Sequence, residues 1–474
     1  MTQVIPGSYI PMIRDGAVNK AMVFDSKATK HSPFAGSDQR RPLQSGLQEA
    51  GQYHELQTAG RFYPVACVAL EITQRCNLDC TLCYLSEHAE QAKDVPLELL
   101  LHRVDEIWAC YGAGTTIQIT GGDPTLRPIA DIEVLCRRIK QLGLRSCLMT
   151  NGIRASRLYL KRLAEAELDD VAFHVDMTQE RNGFHSELDL NALRHQLIED
   201  ARGLGLRILF NTTVFQGNLD EIPMLCRFFA EHAKDLSLVS FQMQAETGRG
   251  HEAPRDDALT QARVAEQISK GFGASFPSAV GIGHSDCGQY DHLLVAGGQA
   301  VSVLENTTWI ARVVRALAAA DTSGHAVADI RQMVLSAGVR NPGLALRGLL
   351  EGIRALWQIR RGIWQAKGQV ARLSVMIHSF MDASALDADR CASCVFMVMT
   401  QDGPLSMCAY NAERDHYLFA PQRMASTQGH SWWNAATGAV TPEPTQADLQ
   451  PPAYKHMKGR MRVQEAKRRK EKAL

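Results

Sequence analysis

The sequence predicts an α/β protein built on a parallel sheet, and three observations carry that expectation. Strand-like and helix-like patterns alternate six times between residues 65 and 244, which calls for parallel strands joined by right-handed crossovers. Each strand-like run ends in unusual polar sequence: TQRCNLDC, TGGDP, TNG, HVD, FNTT and QMQAETG. The composition, 45% hydrophobic and 22% charged, is that of an ordinary globular chain. Six β/α units suit an open doubly wound sheet or a partial barrel, and periodicity does not choose. The polar strand ends favour the barrel, because its loops converge on one functional face.

The elements follow in order. Residues 1–62 are rich in Gly, Ser, Gln and His with no sustained period, and read as an irregular lead-in. VACVALEIT at 65–73 is an apolar, β-branched run. Pro96 then stands at a first-turn position ahead of Leu97, Leu99, Leu100, Val104, Ile107 and Trp108 at helical spacing, predicting a helix over 96–110. TTIQIT precedes a helix at 129–142, stopped by Gly143, and RSCLMT precedes one at 155–166. DDVAFHVD leads into 190–204, RILFNTTV into 220–234, and SLVSFQMQ at 237–244 closes the series. Residues 250–275 are polar and helical in tendency, and a boundary is expected near 275. A basic amphipathic helix is expected over 340–372, with Leu346, Leu349, Leu350, Ile353, Leu356 and Trp357 on one face.

Charge and length exclude several classes. Fifty-one basic residues balance 51 acidic ones across 474 residues, so the chain is neither a globally basic nucleic-acid binder nor an acidic disordered segment. No specific nucleic-acid partner is expected. No window approaches the roughly 18 consecutive apolar residues of a membrane span. The start, MTQVIPGSYIPMIRDG, has no basic cluster, apolar stretch or small-residue cleavage site, so a cytoplasmic, reducing setting is expected. There, thiol clusters are metal ligands more often than disulfides.

The 12 cysteines divide by context. Cys67, Cys110, Cys136, Cys147 and Cys226 sit in apolar stretches and read as packing residues. Cys76, Cys80 and Cys83 crowd into CNLDCTLC directly after the first strand. So short a loop can turn three sulfurs around one inorganic centre. Zinc would want a fourth ligand, for which His88 is the nearest candidate, whereas an iron–sulfur cube can take three thiolates and keep one iron open.

C-x3-C-x2-C after the first strand of a β/α series, followed by GGDP after the second, resembles the radical S-adenosylmethionine superfamily. The resemblance implies a partial (β/α)6 TIM-type barrel. It also implies a [4Fe–4S] cluster on Cys76, Cys80 and Cys83, with S-adenosylmethionine on the fourth iron. Hydrogen abstraction from a substrate by a 5′-deoxyadenosyl radical is the implied chemistry, fed by an electron donor such as a flavodoxin or ferredoxin. The Gly121-Gly122-Asp123-Pro124 loop would hold the methionyl amino group. The family usually has GGE there, and Asp123 reaches one methylene less. Asn151, Asp176 and Asn211, at later strand ends, are the further cofactor-binding candidates. FNTTVFQGNLDEIP resembles the molybdenum cofactor biosynthesis protein A branch, which implies that Asn211 helps bind the nucleoside.

Four more thiols, Cys287, Cys391, Cys394 and Cys408, lie in polar, turn-rich sequence and could hold a second centre, either an auxiliary [4Fe–4S] cluster or zinc. His284 and His378 are possible substitutes. The run DADRCASCVFMVMTQDGPLSMCAYN faintly resembles the closing segment of tetraether lipid synthase-like enzymes. The expected organisation is a radical core at 63–275, an auxiliary-cluster and substrate domain at 276–430, and a basic tail at 431–474. The expected function is a radical enzyme acting on a lipid or isoprenoid chain, with peripheral contact at the inner face of a membrane. The alternatives are a peptide or protein maturase and, in another class, a non-catalytic zinc or iron–sulfur RNA-binding protein.

Overall fold

The computed structural model describes residues 40–249, 259–277, 280–318, 337–426 and 429–451. Most of the expected lead-in and the last 23 residues of the basic tail lie outside them. Residues 40–62 are not wholly irregular, because Arg40–Glu49 forms a helix, α1, with Leu43 and Leu47 buried.

The six expected strands are present: β1 (Cys67–Thr73), β2 (Thr116–Gly121), β3 (Arg145–Thr150), β4 (Asp170–His174), β5 (Arg207–Val214) and β6 (Leu236–Met243). Between them run α2 (Leu97–Tyr111), α3 (Ile129–Gln141), α4 (Arg157–Glu165), α5 (Leu190–Ala201) and α6 (Ile222–Glu231). Each pairs in sequence order and parallel. β2 shows how the barrel wall works. Ile117 and Ile119 are fully buried under the helices, while Thr116, Gln118 and Thr120 alternate onto a central cavity.

Residues after 275 do not stand apart as the expected separate domain; they extend the same sheet at both edges. β9 (Ala371–Ser379) pairs parallel with β6, and β10 (Phe396–Thr400) pairs parallel with β1. Eight parallel strands therefore run β10-β1-β2-β3-β4-β5-β6-β9. Antiparallel β11 (Gly403–Ser406) continues one edge, and β7 (Gly288–Ala296) with β8 (Gln299–Ser302) continues the other. β9 and β10 share no ladder, so hydrogen bonds do not close the barrel. Side chains fill the seam: His378 and Phe380 from the β9 side meet Phe396, with ring centroids 4.5 and 6.3 Å apart.

The expected single helix over 340–372 is two helices and the start of a strand. α7 (Gln261–Phe272) and α8 (Thr307–Ala318) precede it; α9 spans Pro342–Gln358 and α10 Arg360–Gln365. The break at Ile359 turns Gly362 onto the β7–β8 corner, where an added Cβ would lie 2.0 Å from the Ala296 carbonyl oxygen. Lys367 and Gly368, both at positive φ, then end the helical run and feed β9.

The main apolar cluster packs β4–β6, β9 and β7 against α5, α6 and α7. Phe229 of α6 is 1% exposed and sits 5.6 Å from Phe210 and 6.4 Å from Phe241, ring centre to ring centre. Phe229→Ala is expected to cost about 3–5 kcal/mol, the range for truncating a buried aromatic, read as a lowered urea midpoint with an unchanged slope.

Candidate active site at the cysteine loop

β1 runs straight into the cysteine loop, and the loop is fastened from four sides. The end of β2 holds it first. Gly122 N–H donates to the Thr73 carbonyl and Asp123 N–H to that of Arg75, each at 2.8 Å. A Cβ on Gly121, at φ +123°, would stand 2.0 Å from the Thr73 oxygen, and one on Gly122 would stand 2.1 Å from the Arg75 oxygen. The two glycines are thus required by contact with the cysteine loop itself. From the third and fourth strand ends, Asn151 Nδ2 donates to Asn77 at 2.7 Å and lies 4.0 Å from the Cys76 sulfur, and Thr81 N–H donates to the Thr178 carbonyl. After β6, Gly248 lies on the Tyr84 backbone and Arg249 N–H donates to the Leu85 carbonyl at 2.7 Å.

Cys76, Cys80 and Cys83 are half-buried thiols outside any disulfide, on the wall of a cavity of about 910 Å³. Two cations face them. Arg181 interacts electrostatically with Cys80, and the Arg249 side chain lies against Cys83. Arg249 Nε and Nη2 are buried with no oxygen or nitrogen acceptor. Burying such donors is costly unless negative charge stands near them. Glu90 stands 3.8 Å from Nη1 and leaves Nε and Nη2 unmet; a cluster held by three thiolates would bring negative charge to them, so the residues present fit the group. Among the described residues, no three His, Cys, Asp or Glu are arranged to hold a single metal ion.

Two of the expected cofactor ligands do other work. Asp123 is 1% exposed, and its carboxylate accepts from Thr125 N–H and Oγ1, Thr150 Oγ1 and Asn151 N–H at 2.5–3.1 Å. It is spent on the loop and is absent from the cavity wall, as is Pro124; the missing methylene keeps its oxygens among these donors. Asp176 is fully buried behind the wall, accepting from His174 Nε2 at 2.7 Å, Thr178 N–H at 2.9 Å and Thr213 N–H at 2.8 Å. Burial alone would raise its pKa, but His174 and these donors hold it down at about 2. It orients His174, which lines the cavity together with Gly121, Gly122, Asn151, Asn211 and Thr213. Asn211 Nδ2 donates to Gln242 Oε1 at 3.2 Å.

The carboxy-terminal segment completes the site. Arg414 donates to both Glu71 oxygens, at 2.7 and 2.9 Å, and its guanidinium stacks on Tyr84 at 4.6 Å and Tyr410 at 4.7 Å. His88, weighed as a zinc ligand, instead pairs with Asp415 at 2.7 Å. Arg181, Arg249, Tyr84 and Arg414 escaped the sequence reading, because nothing local marks an arginine 331 residues downstream of Cys83 as its neighbour.

Cys287, Cys391, Cys394 and Cys408 lie within electrostatic reach of one another, though among the described residues no three of them are arranged around a single metal ion. Cys394 feels Cys408 and Cys287, and Cys408 feels Cys287 and Cys391. Burial pushes all four thiols up, Cys408 to about 11. Arg390 Nε donates to the Cys287 sulfur at 3.4 Å. His378 stays apart, in the aromatic seam, where burial holds it at about 4. Of the packing cysteines, Cys67, Cys136, Cys147 and Cys226 are buried as expected, and Cys110 is half-buried.

The sequence pattern of the Radical SAM superfamily matches residues 70–229, spanning β1 to α6 and the whole cysteine loop. Over these residues the chain is similar to that superfamily, whose members bind a [4Fe–4S] cluster and S-adenosylmethionine. The chain is 30% identical to the Fe-coproporphyrin III synthase of Methanosarcina barkeri (strain Fusaro / DSM 804) over 245 residues, 48% of this chain and 57% of that protein. It is 31% identical to GTP 3′,8-cyclase 1 of Pseudomonas aeruginosa over 195 residues, 38% of this chain and 55% of that one. Among solved structures, that of Streptococcus suis SuiB aligns with a TM-score of 0.36 at 16% identity, covering 44% of this chain and 47% of that one. The chain thus spans a little over half the length of these curated relatives. The relation to the cyclase agrees with the resemblance carried by FNTTVFQGNLDEIP.

Asp176 gives a pH test. Its folded pKa of about 2 lies below the ordinary aspartate value of 3.8, so its stabilisation is present above pH 4 and lost as pH falls through about 2. Asp176→Asn is expected to be about 2 kcal/mol less stable than wild type at pH 7, with the gap narrowing below pH 4, read by urea unfolding. Asp123→Asn would put an amide nitrogen among four donors and is expected to cost about 1–3 kcal/mol by the same assay.

Proposed function

We propose that the protein is a radical enzyme that reductively cleaves S-adenosylmethionine and abstracts hydrogen from a substrate held in the barrel cavity. The observation that carries this is the loop itself: three thiols on the wall of a cavity of about 910 Å³, facing the buried Arg249 and the half-buried Arg181. Cys76, Cys80 and Cys83 would hold the [4Fe–4S] cluster. When bound, the cluster supplies one electron to the sulfonium, so that a carbon–sulfur bond breaks to give methionine and a 5′-deoxyadenosyl radical. Gly121 and Gly122, packed against the loop's carbonyls, also line the cavity where the methionyl end would lie, and Asn151 borders the cluster. Asn211, His174 and Thr213 offer hydrogen bonds further round the wall. The electron donor in this reading is a flavodoxin or ferredoxin.

The substrate reading is a lipid or isoprenoid chain. Its support is the far end of the cavity, where Phe62, Val280, Ile310, Val313, Val314 and Leu317 make an apolar wall with room for a long hydrocarbon. Contact with the inner face of a membrane belongs to this reading. The four carboxy-terminal cysteines support a second reading, a peptide or protein maturase, in which an auxiliary [4Fe–4S] cluster takes part; Cys287, Cys391, Cys394 and Cys408 are its ligands in either case. Zinc, the other candidate there, would draw tetrahedral thiolates to about 2.3 Å from one ion.

The test is anaerobic. Wild type with S-adenosylmethionine and dithionite is expected to form 5′-deoxyadenosine and to carry about eight irons, and the Cys76/Cys80/Cys83→Ala variant to form none and carry about four. Four irons with one zinc in wild type would reassign the second centre alone. A reduced cluster that yields no 5′-deoxyadenosine would overturn the catalytic reading in favour of a non-catalytic iron–sulfur protein.

A further inference from the structure

α9 is packed inside out. Its side facing the protein is built from small residues and one isoleucine: Gly348 abuts Trp309 of α8, and Ala355 and Ile359 join Ala296 and Val301 of the β7–β8 hairpin. Asn306 Nδ2 donates to Glu351 at 2.7 Å and fixes the helix to the chain ahead of α8. The large apolar side chains point the other way. Leu346, Leu349, Leu350, Ile353, Leu356 and Trp357 follow helical spacing on the outer surface, and all are 40–67% exposed. Trp364 of α10 is 84% exposed. Nine of the 14 exposed large hydrophobic residues among those described fall between 339 and 370, so this is a contiguous surface rather than ordinary scatter.

Its border is positive. Arg347 and Arg354, seven residues apart, run along one edge of the apolar stripe, and Arg360 stacks on Trp357 at 4.6 Å. Residues 340–367 hold six cations and a single acid, Glu351, in a chain whose total charge is zero. Arg312 and Arg315 of α8 and Arg340 line one hollow at the amino-terminal end of α9. The basic tail, nine Lys/Arg against two Glu in 452–474, has the wrong sign to cover such a surface.

We infer that the outer face of α9 and α10 is a docking surface for an anionic lipid bilayer. Leucine and tryptophan side chains enter the interface, while the arginine stems lie along it with their guanidinium groups among the headgroup phosphates. Among the described residues, no helix is long and apolar enough to cross a membrane, so this is attachment and not insertion across it. The other side of α8 carries Ile310, Val313, Val314 and Leu317 on the cavity wall, so a bilayer seated on α9 lies one helix away from the apolar end of the cavity. The inference stands on the helix and not on the identity of the substrate.

The full chain, without S-adenosylmethionine or reductant, is mixed with phosphatidylglycerol–phosphatidylcholine vesicles and with pure phosphatidylcholine vesicles. Expected are co-sedimentation with the anionic vesicles at least about tenfold stronger than with neutral ones, and a blue shift of tryptophan emission that Trp357→Phe/Trp364→Phe removes. Raising salt to about 0.5 M should release the protein, because screening then acts within a few ångströms. Leu350→Glu/Ile353→Glu should abolish binding while circular dichroism, iron content and 5′-deoxyadenosine formation stay at wild-type levels. If the double variant still sediments, the basic tail is the anchor and the inference fails. It also fails if wild type binds neither vesicle, or if it forms a dimer that the double variant abolishes, the face then being an interface between copies. Because binding is read without turnover, a failed 5′-deoxyadenosine assay leaves this result standing.

Discussion

The buried pair between Glu71 and Arg414 is the constraint around which the site is arranged. Glu71 lies on β1, two residues before that strand ends, and Arg414 is 343 residues later in the chain. Both are buried, and a charge buried without its partner would cost several kcal/mol. The carboxylate also accepts from Tyr410 at 3.0 Å and Gln74 at 2.8 Å, while the guanidinium lies over the rings of Tyr84 and Tyr410. One ion pair thereby ties the helix Arg414–Phe419, which follows β10 and β11, to the first strand, and sets Tyr84, which immediately follows Cys83, against the end of β2. Tyr84 OH in turn donates to the Gly121 carbonyl. The cysteine loop is short of regular structure yet is held at both ends and along its back.

The same segment seals the barrel. A six-stranded sheet alone would leave the edges of β1 and β6 exposed, with rows of unpaired backbone groups. β10 and β9 cover them, and the remaining seam is filled by His378, Phe380 and Phe396 rather than by a ladder. Without hydrogen bonds across it, this seam is the part of the wall least constrained by backbone geometry. The four carboxy-terminal thiols flank it: Cys287 just ahead of β7, Cys391 in α11 (Ala388–Ala392), Cys394 just ahead of β10 and Cys408 in α12 (Met407–Ala412). Any centre they hold would therefore brace the seam and the Arg414 segment together.

The cavity wall is mixed. The thiols, the Asn151 and Asn211 amides and His174 line it from the ends of strands, Asp170 and Arg207 line it from the starts of β4 and β5, and α8 adds Ile310, Val313, Val314 and Leu317. α9, fixed to α8 through small residues, carries its large apolar side chains away from that core.

The sequence by itself determined the period of the elements, the six parallel strands and the cysteine loop, because alternation, strand-end polarity and C-x3-C-x2-C are written in neighbouring residues. Its polar context also set Cys287, Cys391, Cys394 and Cys408 apart, and the fold brings them within electrostatic reach of one another although Cys408 is buried. Tertiary structure decided the rest. Asp123 and Asp176 looked like ligands because a strand-end carboxylate usually faces the site; only the fold shows their oxygens filled by Thr125, Thr150 and Asn151, and by His174, Thr178 and Thr213. The sequence marks the glycine pair only as part of a loop expected to hold the methionyl amino group, and the packing shows that the glycines make room for the neighbouring loop's carbonyls. That β9 and β10 flank the first six strands, and that Arg249 and Arg414 reach the thiols, depend on contacts between residues hundreds of positions apart. Such contacts cost chain entropy that only the complete core repays, so no local pattern records them.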